Sequence, residues 1–170
     1  NTTASNSTAI GYDALKLNTT GANNVAIGNY NLDSNTTGTG NTALGYGVMQ
    51  ANTTADNNTA IGYNALLQNT TGETNVAVGT YALDANTTAS FNTAVGFNSL
   101  STNTTGDKND GFGYYTLWSN TTGAENTAVG TRALQYNTTA SYNIAVGRDA
   151  LRLNTTGQQN TAIGVDSLDE

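Results

Sequence analysis

The chain contains no histidine, no cysteine and no proline, and only five of its 170 residues are basic. Without His or Cys, the side chains that most often serve as general base, thiol nucleophile or soft metal ligand are missing. The absence of Cys rules out a disulfide and is neutral about compartment. Five basic against twelve acidic residues give a net charge of −7. Nucleic acid, whose phosphates need a basic stripe, is therefore not expected as a partner. Apolar residues make up 36% and charged residues 10%, too polar a mixture for a large central core. No apolar run approaches the roughly 20 residues of a membrane-crossing helix, so no membrane span is expected in this segment.

What is abundant is Asn, Thr and Gly, and it is periodic. Asn-Thr-Thr recurs at Asn1, Asn18, Asn35, Asn52, Asn69, Asn86, Asn103, Asn120, Asn137 and Asn154 without insertion or deletion. Ten copies of 17 residues fill all 170 positions. A strict short period specifies one small unit stacked on itself, each copy contacting its neighbours. The sequence opens at the first position of one copy and closes at the last of another. One array over residues 1–170 is therefore expected, as a piece of a longer protein or filament.

Within a copy, numbered 1 to 17, position 11 is always Gly, and position 15 is Leu in nine copies and Met49 in the other. Position 10 is Ile, Val, Leu or Phe, position 7 is Asn in nine copies, position 9 is Ala in nine, and position 4 is Gly or Ala. Positions 7–12 read as a β-strand, with 8, 10 and 12 on one face and Asn, Ala and Gly at 7, 9 and 11 on the other. A second, shorter strand is predicted over positions 13–17, with Leu at 15 buried. Asn-Thr-Thr-Gly at 1–4 has turn chemistry. A helix fails, because Asn, Thr and Gly are poor helix formers and no 3.6-residue apolar stripe survives.

The fold class is therefore all-β: a parallel β-solenoid, or β-roll, of ten 17-residue coils. With coils about 4.8 Å apart, equal positions stack into ladders. The expected ladders are Asn at position 7 (Asn24, Asn41, Asn58, Asn75, Asn92, Asn126, Asn143, Asn160), Gly at 11 (Gly28, Gly62, Gly79) and Leu at 15 (Leu66, Leu83, Leu134). An aliphatic ladder at 10 and another Asn ladder at 1 accompany them. All 17 charged residues avoid positions 1–4, 7, 9–11, 14 and 15. Charge is costly to bury, so those columns are expected inside or at a packed interface. Copy seven departs most, with Asp110 at position 8, Gly111 for Ala and Phe112 for a smaller aliphatic. A lost methyl beside an enlarged neighbour reads as local repacking.

No acidic column is continuous: Asp56, Glu73 and Asp107 share position 5, while Asp33, Asp84 and Asp169 share position 16. Scattered acids supply neither an acid–base pair nor a calcium cage. Ser and Thr find no base at a repeating distance, so no enzyme activity, cofactor or metal is expected. Each Asn-Thr-Thr is also an N-glycosylation acceptor, which makes Asn18, Asn35, Asn52, Asn69, Asn86, Asn103, Asn120, Asn137 and Asn154 candidate sites. Acceptors stacked about 4.8 Å apart could hardly all carry glycans, and the turn role is favoured. Sugar on the Thr hydroxyls stays open. Adjacent Thr residues face opposite ways on a strand, so only one column would point outward for ice. Aromatic residues at positions 12 and 13 (Tyr12, Tyr30, Tyr46, Tyr63, Tyr81, Phe97, Tyr114, Tyr115) read as partly buried at a coil corner or between chains, or as a carbohydrate-stacking stripe.

At positions 7 to 14 the chain resembles a family. Asn24-Val25-Ala26-Ile27-Gly28, Asn75-Val76-Ala77-Val78-Gly79, Asn58-Thr59-Ala60-Ile61-Gly62 with Ala65, and Asn160-Thr161-Ala162-Ile163-Gly164 with Ser167 carry the likeness. They resemble the Asn-Ser-Val-Ala-Ile-Gly-x-x-Ser/Ala signature of YadA-like heads of trimeric autotransporter adhesins. Related Asn-Thr-Ala-Ile-Gly-Tyr-x-Ala-Leu repeats are similar to tail-fibre-like proteins of phages and bacteria. The resemblance implies a left-handed parallel β-roll, three chains about one axis, and display at a cell or virion surface. The period of 17 is longer than that family's, and the additional residues are expected in the Asn-Thr-Thr-Gly turn.

Energetics lean the same way. Burying a large apolar side chain contributes about 1.5–3 kcal/mol, while ordering a residue costs about 1–2 kcal/mol. Two large apolar columns, at 10 and 15, leave a lone coil marginal, and the charge-free Asn-Ala-Gly face is suited to packing on other chains. The expected function is an extracellular or cell-surface structural or adhesive fibre segment. Its expected partners are copies of itself, as a trimer or head-to-tail filament, and a host or matrix surface ligand. A phage tail-fibre shaft, a self-assembling filament and an ice-binding solenoid are the alternatives.

Overall fold

Each strand finds its spatial neighbour one period along the chain. In the computed structural model, which describes residues 3–169, ten parallel strands form one sheet in chain order. They are β1 (Thr8–Ile10), β2 (Val25–Ile27), β3 (Thr42–Tyr46), β4 (Thr59–Tyr63), β5 (Val76–Val78), β6 (Thr93–Val95), β7 (Asp110–Phe112), β8 (Thr127–Val129), β9 (Ile144–Val146) and β10 (Thr161–Ile163). Register never slips: Thr8 pairs with Val25, Ala26 with Ala43 and Ile163 with Val146. The molecule is an all-β parallel solenoid of about 17 residues per turn. Among the described residues there is no helix, and so none long and apolar enough to cross a membrane.

Axial hydrogen bonding continues where the strands stop. Leu32 N donates to Val48 O at 3.1 Å, Thr36 N to Thr53 O at 2.9 Å and Asn57 N to Thr39 O at 2.9 Å. Each partner lies one coil away, so the non-strand arc of the coil is laced like the sheet. A thin solenoid requires this, because buried backbone groups left unpaired are expensive.

Positions 13–17 do not form the second strand predicted from the sequence. In every copy the backbone at 13 and at 15 is left-handed, as at Tyr81 (φ 56°) and Leu83 (φ 51°). Two left-handed residues separated by one curl the chain instead of extending it. The amide of Asn86 then closes back on the Leu83 carbonyl at 3.1 Å. Such a conformation costs a non-Gly residue on the order of 1–3 kcal/mol, and at position 15 burial offsets it. Leu32, Leu66, Leu83, Leu100, Leu117 and Leu134 are wholly buried, whereas Leu168 in the last coil is exposed.

The turn glycines at position 4 also behave otherwise than expected. Positive φ falls at positions 6, 11, 13 and 15, not within Asn-Thr-Thr-Gly. Position 4 is small because the next coil's carbonyl and two Asn side chains crowd it: a Cβ on Gly72 would press on Ala89 O and lie 2.5 Å from Asn69 Oδ1 and 3.0 Å from Asn86 Nδ2. Position 11 has the stricter need. Gly79 sits at φ 139°, and a Cβ there would come 2.7 Å from the Gly96 carbonyl carbon of the next coil.

Leu at 15 is inside as expected, but the two faces of the strand are exchanged. The Asn-Ala-Gly face, read as a surface for other chains, turns into its own coil: Asn58, Ala60 and Leu66 have no exposure. The Ala column and the Leu column form one continuous core cluster. The aliphatic column at 10, counted above as a core row, points outward, with Leu44 at 42%, Ile61 at 36% and Val129 at 38% exposure. The reason is width. A coil this short holds one row of large side chains, and Ala at 9 leaves the space that Leu at 15 fills.

Copy seven is repacked, but around different atoms than expected. Phe112 points outward and does not press on Gly111. Ser99 and Thr116 occupy position 14, where Ala is commonest. Their hydroxyls are 2.8 Å apart, and Ser99 Oγ donates to the Gly111 carbonyl at 3.1 Å. A Cβ on Gly111 would come 2.7 Å from Ser99 Oγ.

Candidate functional site

Most residues singled out by their repetition are engaged in joining coils. Asn24, Asn41, Asn58, Asn75, Asn126 and Asn143 each accept the next coil's position-7 amide on Oδ1, at 2.8–3.0 Å. Their Nδ2 groups donate to the next coil's position-4 carbonyl, as Asn58 does to Gly72 at 2.9 Å. Asn92 keeps the first bond, to the Asn109 amide at 2.9 Å, but donates weakly to Ser90 O at 3.3 Å. Asn160 donates its amide to Asn143 Oδ1 at 2.9 Å. Gly28, Gly62 and Gly79 make the corner after the strand, and Leu66, Leu83 and Leu134 fill the core.

The position-1 asparagines form another internal ladder. Asn18, Asn35, Asn52, Asn69, Asn86, Asn103, Asn120 and Asn137 are buried. Asn86 Nδ2 donates to Asn69 Oδ1 at 2.9 Å and to Ala89 O at 3.0 Å. Asn154 is partly exposed and makes the equivalent bonds to Asn137 and Gly157. An N-linked sugar would replace both bonds at an atom facing inward. Asn1 and Thr2 lie outside the described residues. The position-2 hydroxyls are also engaged, with Thr70 Oγ1 donating to Thr87 O at 3.0 Å. In coils three to nine only the position-3 residues of the triplet, such as Thr71, Thr88 and Thr105, stand exposed, in a column one residue wide.

What the coil leaves open to solvent is its outer sheet face and the edge beside it. Positions 8 and 10 present Val76, Leu44, Ile61, Phe112, Val129 and Ile144, all at least 36% exposed. Asp110 is the one charged side chain in those two columns. At positions 12 and 13 the aromatics are not scattered. Tyr12, Tyr30, Tyr46, Tyr63 and Tyr81 form one row with centroids 5.4–5.6 Å apart. Phe97, Tyr114, Tyr115, Trp118 and Tyr136 continue it as another cluster. Half-burial at the coil corner, expected above, holds for Tyr30, Tyr81 and Tyr115, while Tyr12, Tyr46, Tyr63, Phe97 and Tyr114 are exposed.

Charge gathers in the last coils. Arg132 meets Asp149 at 2.7 Å, Arg148 meets Asp166 at 3.1 Å and Arg152 meets Asp169 at 3.0 Å. Asp84 stands apart: burial pushes its carboxyl up to about 6, against weaker stabilisation by its own backbone amide and that of Ala85. One of its oxygens is buried without a hydrogen bond. The repeat pattern gave no sign of this, because Asp33 and Asp169 share its column. Among the described residues no group of three His, Cys, Asp or Glu could hold a metal ion. An open depression of about 280 Å³ is lined by Ser34, Gln50, Ala51, Leu67 and Gln68; it is a surface groove, not an enclosed pocket.

Comparison with protein-family models, with curated proteins and with solved structures finds no match to this chain.

Proposed function

We propose that the chain is a segment of an extracellular structural or adhesive fibre, without catalysis, in which copies pack side by side through the outer face of the sheet. The observation that carries this is the position-10 column. It is Ile, Leu, Val or Phe in all ten coils and never polar, yet in a single chain it meets water. Nothing inside the coil needs it there. Solvent-facing positions 5, 6 and 17 vary freely between polar, charged and apolar residues. Ten coils about 4.8 Å apart give this face roughly 500 Å² per copy, so two copies reach the ~1,000 Å² at which a specific interface becomes credible. The likeness to adhesin heads favours three copies about an axis.

The axial hydrogen-bond lacing supplies the mechanics: a stiff rod whose backbone offers few free groups to a protease. Sedimentation equilibrium tests the reading. A mass near three chains, falling to one on Ile61→Lys with Val78→Lys, supports it. A single-chain mass at micromolar and higher concentrations overturns it.

A further inference from the structure

We infer that the aromatic edge of coils two to five is a platform for a linear, neutral polysaccharide lying along the solenoid axis. Tyr30, Tyr46, Tyr63 and Tyr81 follow one another with centroids 5.6, 5.4 and 5.5 Å apart. Tyr46 and Tyr63 stack on each other, parallel to within 7° and each 45% exposed, and Tyr30 and Tyr81 turn across them at 76° and 83°. Exposed rings backed by polar groups suit the two-sided chemistry of a sugar, whose C–H faces stack on aromatics while its hydroxyls seek donors and acceptors.

The polar groups lie in the same coils. Side chains at position 16 adjoin position 13 of their own coil, as Trp118 meets Tyr115 at 5.4 Å, so Asp33 and Asp84 flank Tyr30 and Tyr81 and Gln50 flanks Gly47. In coils two to four, positions 16 and 17 supply Gln50, Gln68 and Ser34, which line the open depression. Amide and hydroxyl groups both donate and accept. The repeat fits a polymer: each coil offers an equivalent rung, so a ligand with its own short axial repeat engages several at once. Charge selects among such ligands. Residues 18–85 contain four acidic residues and no basic one, so an anionic glycan meets only repulsion. Tyr30 and Tyr81 lie past the glycine corner, off the columns at 8 and 10, whereas Tyr46 and Tyr63 close β3 and β4 beside those columns, so the titration uses the protein in its native state of association.

Calorimetric titration with cellohexaose, N-acetylchitohexaose and mannohexaose, their disaccharides, and anionic hexagalacturonate tests this. The expected result is binding of at least one neutral hexasaccharide, about tenfold tighter than its disaccharide through engagement of several rungs. Hexagalacturonate should not bind. Tyr46→Asn with Tyr63→Asn should weaken the neutral ligand at least tenfold, with unchanged circular dichroism. Position 12 already carries Asn29 and Thr80 in other coils, so the fold accepts this pair, and Tyr46→Thr with Tyr63→Thr serves as a replicate. No neutral hexasaccharide binding at millimolar concentration, binding indifferent to both pairs, or equal binding of hexagalacturonate would overturn the inference.

Discussion

Asn58 holds two coils at once: its Oδ1 accepts the backbone amide of Asn75 at 2.8 Å, while its Nδ2 donates to the Gly72 carbonyl at 2.9 Å. Both groups it serves are buried; the Gly72 carbonyl also accepts from Asn69 Nδ2 at 2.9 Å, whereas the Asn75 amide depends on Asn58. Asn58→Ala strands the Asn75 amide and leaves the Gly72 carbonyl with one bond in place of two. Asn58→Asp removes the Nδ2 donor and buries a charge. In urea unfolding Asn58→Ala should cost about 1–3 kcal/mol, and Asn58→Asp about 3 kcal/mol or more. The same changes at Asn160, at the end of the ladder and partly exposed, should cost much less. Equal losses at both sites would show that the ladder is not what joins the coils.

Thr74 sits at φ 56° with its side chain exposed. A β-branched residue is poorly suited to that region, whereas Asn tolerates it. Asn6, Asn23 and Asn57 occupy the same position in other coils with φ 57–59°. Thr74→Asn should therefore stabilise the array by about 1 kcal/mol, read as a rise in the urea midpoint. A fall would mean that the corner is held by something other than backbone preference.

The period, the parallel stacking and the Asn and Leu ladders were all legible in the sequence, because a solenoid repeats its constraints at equal positions. Which face pointed inward was not. Charge avoidance marks Ala60 and Ile61 alike, since a column can shun charge because it is buried or because it is an exposed apolar surface. Size was the missing signal: Ala at 9 fits opposite Leu at 15, and Ile at 10 does not. The curled arc was misread because alternation at 13 and 15 resembles a strand, while Leu83 at φ 51° violates the preference by which such an arc is normally recognised.

Gly111 belongs to a three-residue exchange with Ser99 and Thr116. Gly111→Ala alone brings a methyl 2.7 Å from Ser99 Oγ and should cost about 1–3 kcal/mol by overpacking. Combined with Ser99→Ala and Thr116→Ala it restores the commonest coil interior and should come close to neutral. The coupling among the three, measured by thermodynamic cycles, should be large. Simple additivity would refute this description of copy seven.

Asp84 makes stability depend on pH in an identifiable direction. Its carboxyl titrates at about 6 in the fold against 3.8 in the unfolded chain, so the native state holds the proton more tightly. Its contribution is full below the unfolded value and is lost as pH rises through about 6. Asp84→Asn should then stabilise the chain at pH 7 by about 1 kcal/mol, after discounting for partial exposure, and leave it unchanged in acid. A gain that persists below about pH 4 would assign the effect to packing and not to ionisation.

Side-by-side packing through the outer face is tested most directly by a single introduced thiol, since the chain has no cysteine. A disulfide forms only when the two Cβ atoms come within about 4.5 Å. Under mild oxidation Ile61→Cys, on the outer face, should yield a covalent two-chain product at micromolar concentration. Glu73→Cys, exposed at position 5 and away from that face, should remain single. If Ile61→Cys stays single, or both variants link at the same rate, the outer face is free surface and the packing is wrong.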